Sequence, residues 1–360
     1  MNNQVYQYRV LFFVIHLGSV FLLFPEMILL LGRTPWLPIL FGMIIQLLLL
    51  WLYLSGLRAF PGQNLIDIFL SKGKWFARLL LLPYIVYLFN GNFIFIRSYA
   101  EMMTITMFKQ TPIWALAVLL LIIPLYMASK GLSTILRTTM LLSMLFLPML
   151  LATIIASAQN IDIRNAFPIG EFSLQFLGSI NFISLFFVFS PFLILGMLNH
   201  NEKVLTENKR PAMYYLISGA VALFCLIAVY IPILSFGLEM NQRLQYSMLI
   251  AIDAVDLEWF VFDRITVFYV SSLLAFVFIY LAIQCWIFTQ LVSKLFLPRL
   301  KPSLITWSFG LVTLVGTVLI PTWEWVFKAV RLDTPFRFYS MVLIPLLIKG
   351  MSLRKGRSIQ

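Results

Sequence analysis

Residues Val10–Leu31 read VLFFVIHLGSVFLLFPEMILLL, and this stretch decides the fold. It is apolar and long enough to cross a bilayer, for which about 20 residues suffice. It also carries His16-Leu17-Gly18-Ser19 and, further on, Pro25. Gly18 lacks a Cβ and lets the backbone leave helical geometry. Pro25 removes a backbone donor and crowds the carbonyl four residues earlier. In hydrocarbon, freed backbone groups are tolerated only against protein or a water-filled cavity. The span is therefore expected to be interrupted at His16–Ser19 and again at Pro25, and to line a cavity at mid-membrane depth. A second span, Phe182–Leu198, carries Ser190-Pro191 in its middle. Two interrupted spans in corresponding positions of two halves point to a transporter-type binding site.

Composition agrees with a chain made almost wholly of membrane spans. The 360 residues are 61% hydrophobic and 11% charged, where a soluble domain carries roughly 25% charge. Mean hydropathy is +0.95. The net charge of +12 sits in short loops between apolar segments, which argues against a nucleic-acid partner. Cys225 and Cys285 both lie inside apolar stretches and read as small buried hydrophobes. His16 and His200 have no metal-ligand spacing, so neither a metal nor a cofactor is expected. There is no phosphate-binding glycine loop, zinc-binding His-Glu-x-x-His or hydrolase elbow, and no catalytic residue is proposed. No small-residue cleavage site follows the first span, which reads as a retained helix.

Ten spans are expected: residues 10–31, 38–57, 77–99, 114–126, 140–157, 174–198, 213–236, 265–295, 304–320 and 338–348. With these boundaries, 17 of the 26 Lys and Arg residues fall on the side of the N-terminus and nine, including Arg97 and Arg337, on the other. The positive-inside rule then places both termini in the cytoplasm. Between Arg243 and Arg264, the acids Asp253, Asp256, Glu258 and Asp263 alternate with apolar residues. This segment reads as a short amphipathic helix over the outer mouth, or else as a solvated loop.

Several residues are candidates for ligand binding. Gly18 and Ser19 form either an unwound turn that holds a small zwitterion through its free backbone groups or a close helix contact. Ser190 and Pro191 are their partners in the sixth span, with Phe187 and Phe189 as pocket walls or lipid-facing residues. Tyr87 and Asn90 of the third span lie deep enough to reach a central ligand. Arg97 and Glu101 are four apart on one helix face and can pair, as a structural tie or a gate. His16 either senses protons or packs, and Glu26 is a carboxylate near membrane depth. Asp263-Arg264 opens the eighth span, with Ser271-Ser272 further in; nothing here assigns a coupling ion.

The pattern resembles the spore germination permease family, the GerAB-like B subunits of GerA-type germinant receptors. The matching residues are Leu17-Gly18-Ser19 through Pro25, Gly32-Arg33-Thr34-Pro35-Trp36, Arg97 to Glu101 followed by Thr111-Pro112, Ser190-Pro191-Phe192, Glu202-Lys203 and Trp259 to Arg264. The resemblance implies an all-α integral membrane protein of the amino-acid–polyamine–organocation superfamily. Its fold would be a LeuT/APC-like 5+5 inverted repeat of ten helices, with helices one and six broken. The repeats would span about residues 8–158 and 172–350. The resemblance also implies the spore inner membrane, partner A and C subunits, and a small nutrient ligand, usually an amino acid. The rival reading from another class is an autonomous ion-coupled amino-acid transporter.

Overall fold

The computed structural model describes residues 2–166, 172–198, 210–255 and 265–357. Helices account for the regular structure among these residues, and eight of them are long and apolar enough to cross a membrane. The two remaining expected spans, the first and the sixth, are both interrupted, near Pro25 and Pro191, whereas Pro83, Pro124, Pro148, Pro232 and Pro335 lie inside helices that continue.

The first span consists of α1 (Asn2–Val20) and α2 (Phe24–Leu29). Residues 21–23 form the turn between them. The break therefore falls after Gly18 and Ser19, not at them. Its position follows from Pro25: the helical partner of a residue-25 amide would be the Phe21 carbonyl, and proline has no amide to offer. α2 then starts with Pro25 in its first turn, where a missing donor costs nothing. Every residue from Val14 to Leu29 is buried, so the broken span runs through the interior.

α3 (Trp36–Leu57), α4 (Leu65–Leu70) and α5 (Lys74–Thr106) follow. α4 is held by a capping box in which Asn64 and Asp67 satisfy each other's backbone amides. α6 (Ile113–Lys130) and α7 (Leu132–Ser157) complete the first half. The sixth span is more fragmented than its sequence suggests. It is a short α8 (Ile180–Ser184), a 3-10 turn at Leu185–Phe187 and a 3-10 segment at Ser190–Gly196. Residues 184–198 are all buried.

The second half continues with α9 (Arg210–Phe236), α10 (Leu238–Asn241), α11 (Ser247–Asp253) and α12 (Thr266–Leu295). α13 (Pro302–Leu319), α14 (Trp323–Phe338) and α15 (Ile344–Arg357) close it. α11 is the short helix expected in the acidic segment, though Asp256, Glu258, Asp263 and Arg264 lie outside the described residues. So do His200, Glu202 and Lys203. α12 is the central post: 72% of its membrane window is buried, and it packs on α1, α5, α6, α7 and α13. α7 and α13 are peripheral and expose Met144, Leu311 and Leu319, as lipid-facing helices do.

The last span differs most from expectation. Instead of a short segment at 338–348, one membrane helix runs from Trp323 through Lys355, with a single π-helical turn at Tyr339–Leu343. Lys328, Arg331, Asp333 and Arg337 lower the local hydropathy and conceal its first half in the sequence. Arg337, expected in an outer loop, is 2% exposed. Arg97 is likewise buried. Neither belongs in a loop count of charge.

Gly18 packs where α1 crosses α12. A Cβ there would sit 3.1 Å from the Phe276 carbonyl oxygen, which is backbone and does not move aside cheaply. Gly18→Leu should therefore separate α1 from α12 and destabilise the protein by about 1–3 kcal/mol, the range for overpacking. Gly350→Ala, which meets nothing within 4 Å, should be neutral or slightly stabilising. Thermal unfolding of the two purified variants in detergent separates them.

Candidate functional site

The two broken spans face each other across α5 and α12. Their freed carbonyls are taken by side chains. Pro191 cannot donate to the Phe187 carbonyl, and the Ser190 hydroxyl donates to it instead at 2.7 Å. Its proton thus used, Ser190 Oγ accepts from the Tyr87 hydroxyl of α5 at 2.5 Å. On the other span, the Gly18 carbonyl accepts from the Tyr99 hydroxyl at 2.8 Å. α5 thus reaches both breaks through tyrosines three turns apart.

Two small adjoining cavities flank this junction, each about 10 Å³ and so at the lower limit for one water. Tyr87 and Tyr280 line both. Ser190 and Pro191 line one, together with Ile15 and Gln284. Phe187, Leu23, Asp333 and Arg337 line the other. Nearly all of the residues that line them are buried. A larger cleft of about 790 Å³ lies between the end of α5, α11 and the start of α12. It does not reach the breaks.

Of the residues expected at the site, Tyr87, Phe187, Ser190 and Pro191 meet there. Asn90 stands beside them, donating to Asp333 at 3.0 Å. Gly18 and Ser19 line neither cavity: Gly18 abuts α12, and the Ser19 hydroxyl bonds back to the His16 carbonyl at 2.8 Å. The first span meets the cavities through Ile15 and Leu23 instead. Phe189 turns toward α3, its ring 2.7 Å from where a Cβ on Gly42 would lie.

His16 is fully buried with both ring nitrogens engaged. Nδ1 donates to the Phe12 carbonyl at 2.6 Å, and Nε2 accepts from Gln46 at 3.3 Å. Arg97 and Glu101 pair at 2.6 Å, and Arg97 also donates to the carbonyls of Ile320 and Pro321. It thereby ties the end of α5 to the end of α13, away from both cavities. Glu26 of α2 accepts from the Ser247 amide at 3.2 Å, joining the first span to α11. Tyr246, which precedes that amide, is the only non-glycine residue at positive φ among the described residues.

The residues that sequence reasoning missed lie on α14. Asp333 and Arg337 are each 2% exposed and pair at 3.2 Å. Arg337 also donates to the Val330 carbonyl at 2.8 Å and to the Ser184 carbonyl at the end of α8. Its guanidinium lies over the Phe187 ring, 5.9 Å from the centroid. The available signal was an acid and a base four apart between apolar stretches.

This arrangement defines a class: a multi-pass membrane protein of transporter-like fold, with two broken spans meeting around a buried centre. The solved structure of MhsT in complex with L-phenylalanine shares the fold, with a TM-score of 0.69 at 13% identity over 94% of this chain and 88% of that one. The model of the spore germination protein family matches residues 4–322, and the chain belongs to that family. Spore germination protein KB of Bacillus subtilis (strain 168) is 24% identical over 326 residues, covering 89% of this chain and 85% of that protein.

Ser190→Ala would leave the Phe187 carbonyl without its hydroxyl donor, at about 1–3 kcal/mol for a buried group left unpaired, and would take one partner from the Tyr87 hydroxyl. Tyr87→Phe leaves Ser190 donating to Phe187. Ser190→Ala should therefore lower the melting temperature more than Tyr87→Phe. The two variants, compared by thermal unfolding, test the order.

Proposed function

We propose that this chain is the B subunit of a spore nutrient germinant receptor. It binds a small nutrient, an amino acid, where the two broken spans meet, and so triggers germination. The observation that carries the reading is the junction of Tyr87, Ser190 and Phe187 beside two small cavities, in a chain of the spore germination protein family. The L-phenylalanine in complex with MhsT, a protein of the same fold, supports the ligand class.

The ligand acts by shifting an equilibrium. It must bind one conformation better than another, or it shifts nothing. Cavities this small suit the unliganded end of such an equilibrium. In the proposed assembly the chain sits in the spore inner membrane with both termini in the cytoplasm. It pairs there with A and C subunits, and its two inverted repeats span about residues 8–158 and 172–350.

A second reading, autonomous ion-coupled transport of an amino acid, is favoured by the transporter-like fold alone. Uptake separates the two. In proteoliposomes holding this chain by itself, labelled amino acid should bind without accumulating in step with a proton or sodium gradient. Gradient-driven accumulation would establish the transporter instead. Purified protein screened by thermal shift against amino acids, sugars and nucleosides should be stabilised by at least one nutrient. Spores lacking the chain should lose the response to that nutrient. If no solute stabilises the protein and the deleted spores germinate normally, the receptor reading fails.

A further inference from the structure

Asp333 and Arg337 hold α14 to α5 and α8, through Asn90 and the Ser184 carbonyl, tasks that neutral polar side chains could also perform. A buried ion pair is a costly way to join helices, since desolvating both charges offsets most of their attraction. Ionisable residues inside membrane spans are rare and mark functional paths by default. These two line a cavity at the junction of the broken spans. The pair touches the three elements that meet there: Asn90 of α5, the Ser184 carbonyl that ends α8, and the Phe187 ring in the following turn. Arg337 Nε is buried and has no hydrogen-bond partner among the described residues. The Nε–H of a guanidinium that borders the cavity is thus not committed to the protein. Immediately after Arg337, the helix makes its π turn at Tyr339–Leu343, a form that recurs at functional sites.

We infer that Asp333 and Arg337 are the polar recognition groups of the site, and that its ligand is a zwitterion with an apolar side chain. The carboxylate pairs with Arg337 and the ammonium with Asp333. This deepens the proposed receptor reading and rests on it. Charge balance sets the ligand class. The pair is neutral as a unit, in surroundings that penalise any net charge. A ligand that brings one positive and one negative group can insert into the pair and leave the total at zero. An amine alone would leave an extra positive charge buried, and an acid alone an extra negative one. A sugar or nucleoside would separate Arg337 from Asp333 and restore neither partner's charge. Of the other walls, Tyr87 and Tyr280 carry hydroxyls, while Leu23, Ile94, Phe95, Phe187 and Val330 are apolar and suit an aliphatic or aromatic side chain.

Release of Arg337 from Ser184 is the step that would report binding to the sixth span. The Ser184 carbonyl is the last of α8, and its donor is a side chain on α14. A ligand carboxylate that draws the guanidinium toward the cavity loosens that bond. The broken span and α14 then move relative to each other.

The test uses the full-length chain purified into lipid nanodiscs, with L-alanine, L-leucine and L-phenylalanine as probes. Each is compared with its decarboxylated amine and its carboxamide, with glucose and inosine as uncharged nutrients. At least one amino acid should bind, with its amine and amide weaker by tenfold or more. Single substitutions leave one charge buried alone and can prevent folding. The informative variant is therefore the double Asp333→Asn/Arg337→Gln, which removes both charges together. It should keep the wild-type melting temperature within a few degrees and lose amino-acid affinity by at least tenfold. Arg337→Lys, which keeps the charge but not the planar fork, should lose less. Wild-type affinity in the double variant, or equal binding of amine and amino acid, overturns the inference. Binding of glucose or inosine alone also overturns it while leaving the receptor reading intact. No saturable binding by any probe, with normal germination of spores lacking the chain, removes the receptor reading itself.

Discussion

A proline inside a membrane helix leaves the carbonyl four residues back without its amide, and hydrocarbon supplies no substitute donor. This constraint organises the molecule. At Pro191 the orphaned acceptor is the Phe187 carbonyl, and the side chain one residue before the proline satisfies it. That solution fixes the rotamer of Ser190, which in turn fixes the acceptor offered to Tyr87. A local backbone defect is thereby converted into a contact between spans. On the first span, Pro25 places the break at residues 21–23, and the Gly18 carbonyl finds its donor in Tyr99. Tyr87 and Tyr99 of α5 thus contact both interrupted spans, and α5 runs through the interior beside them as a long rod. Residues Ile94–Ala100 are buried without exception.

The rest of the bundle supports those two repairs. α12 is buried along most of its length and presents backbone to Gly18 at van der Waals distance. Close approach of this kind is available only where one helix lacks a Cβ. Tyr53 of α3 donates to the Leu193 carbonyl at 3.1 Å, supplying another donor to the irregular sixth span. A Cβ on Gly196 would overlap the same tyrosine. The second half of the span is thus pinned against α3 by a single hydroxyl and a missing methyl. Its first half is gripped from α14 by Arg337. The two halves of the sixth span therefore have different masters, which is the geometry a hinge needs.

Much of this is legible in the sequence, and what is not has a physical reason. Pro25 and Pro191 mark both interrupted spans, but Pro83, Pro124, Pro148, Pro232 and Pro335 lie inside continuous helices, so the tertiary surroundings decide which proline ends a helix. Gly18 permits a departure from helix, yet the break falls nearer Pro25. Tyr87, Ser190 and Pro191 are identifiable because polar or helix-breaking residues in an apolar run need an explanation, and Phe187 only as a neighbour of the break. Phe189 is not separable from its neighbours, since which way a phenylalanine points in a 3-10 segment depends on tertiary packing. Gly42, on α3, decides it. Asp333 and Arg337 are hidden by the signal that should expose them. Charge lowers window hydropathy, so the segment that carries them reads as loop.

That last misreading bears on how charge is counted in membrane proteins generally. The positive-inside rule describes residues in water at the membrane surface. Arg337 and Arg97 both have their guanidinium groups inside the protein, each paired with a carboxylate four residues away on its own helix. The two pairs nevertheless differ in what they do next. Arg97 spends its remaining donors on the carbonyls of Ile320 and Pro321, where α13 ends and would otherwise leave acceptors unpaired. Every part of that arrangement is explained by satisfying a helix terminus. Arg337 holds a carbonyl in a span that is already broken, has its Nε without a partner among the described residues, and borders a cavity. Two ion pairs with the same i,i+4 spacing thus serve different ends. The distinction comes from what surrounds the third and fourth donors of the guanidinium, not from the pair itself.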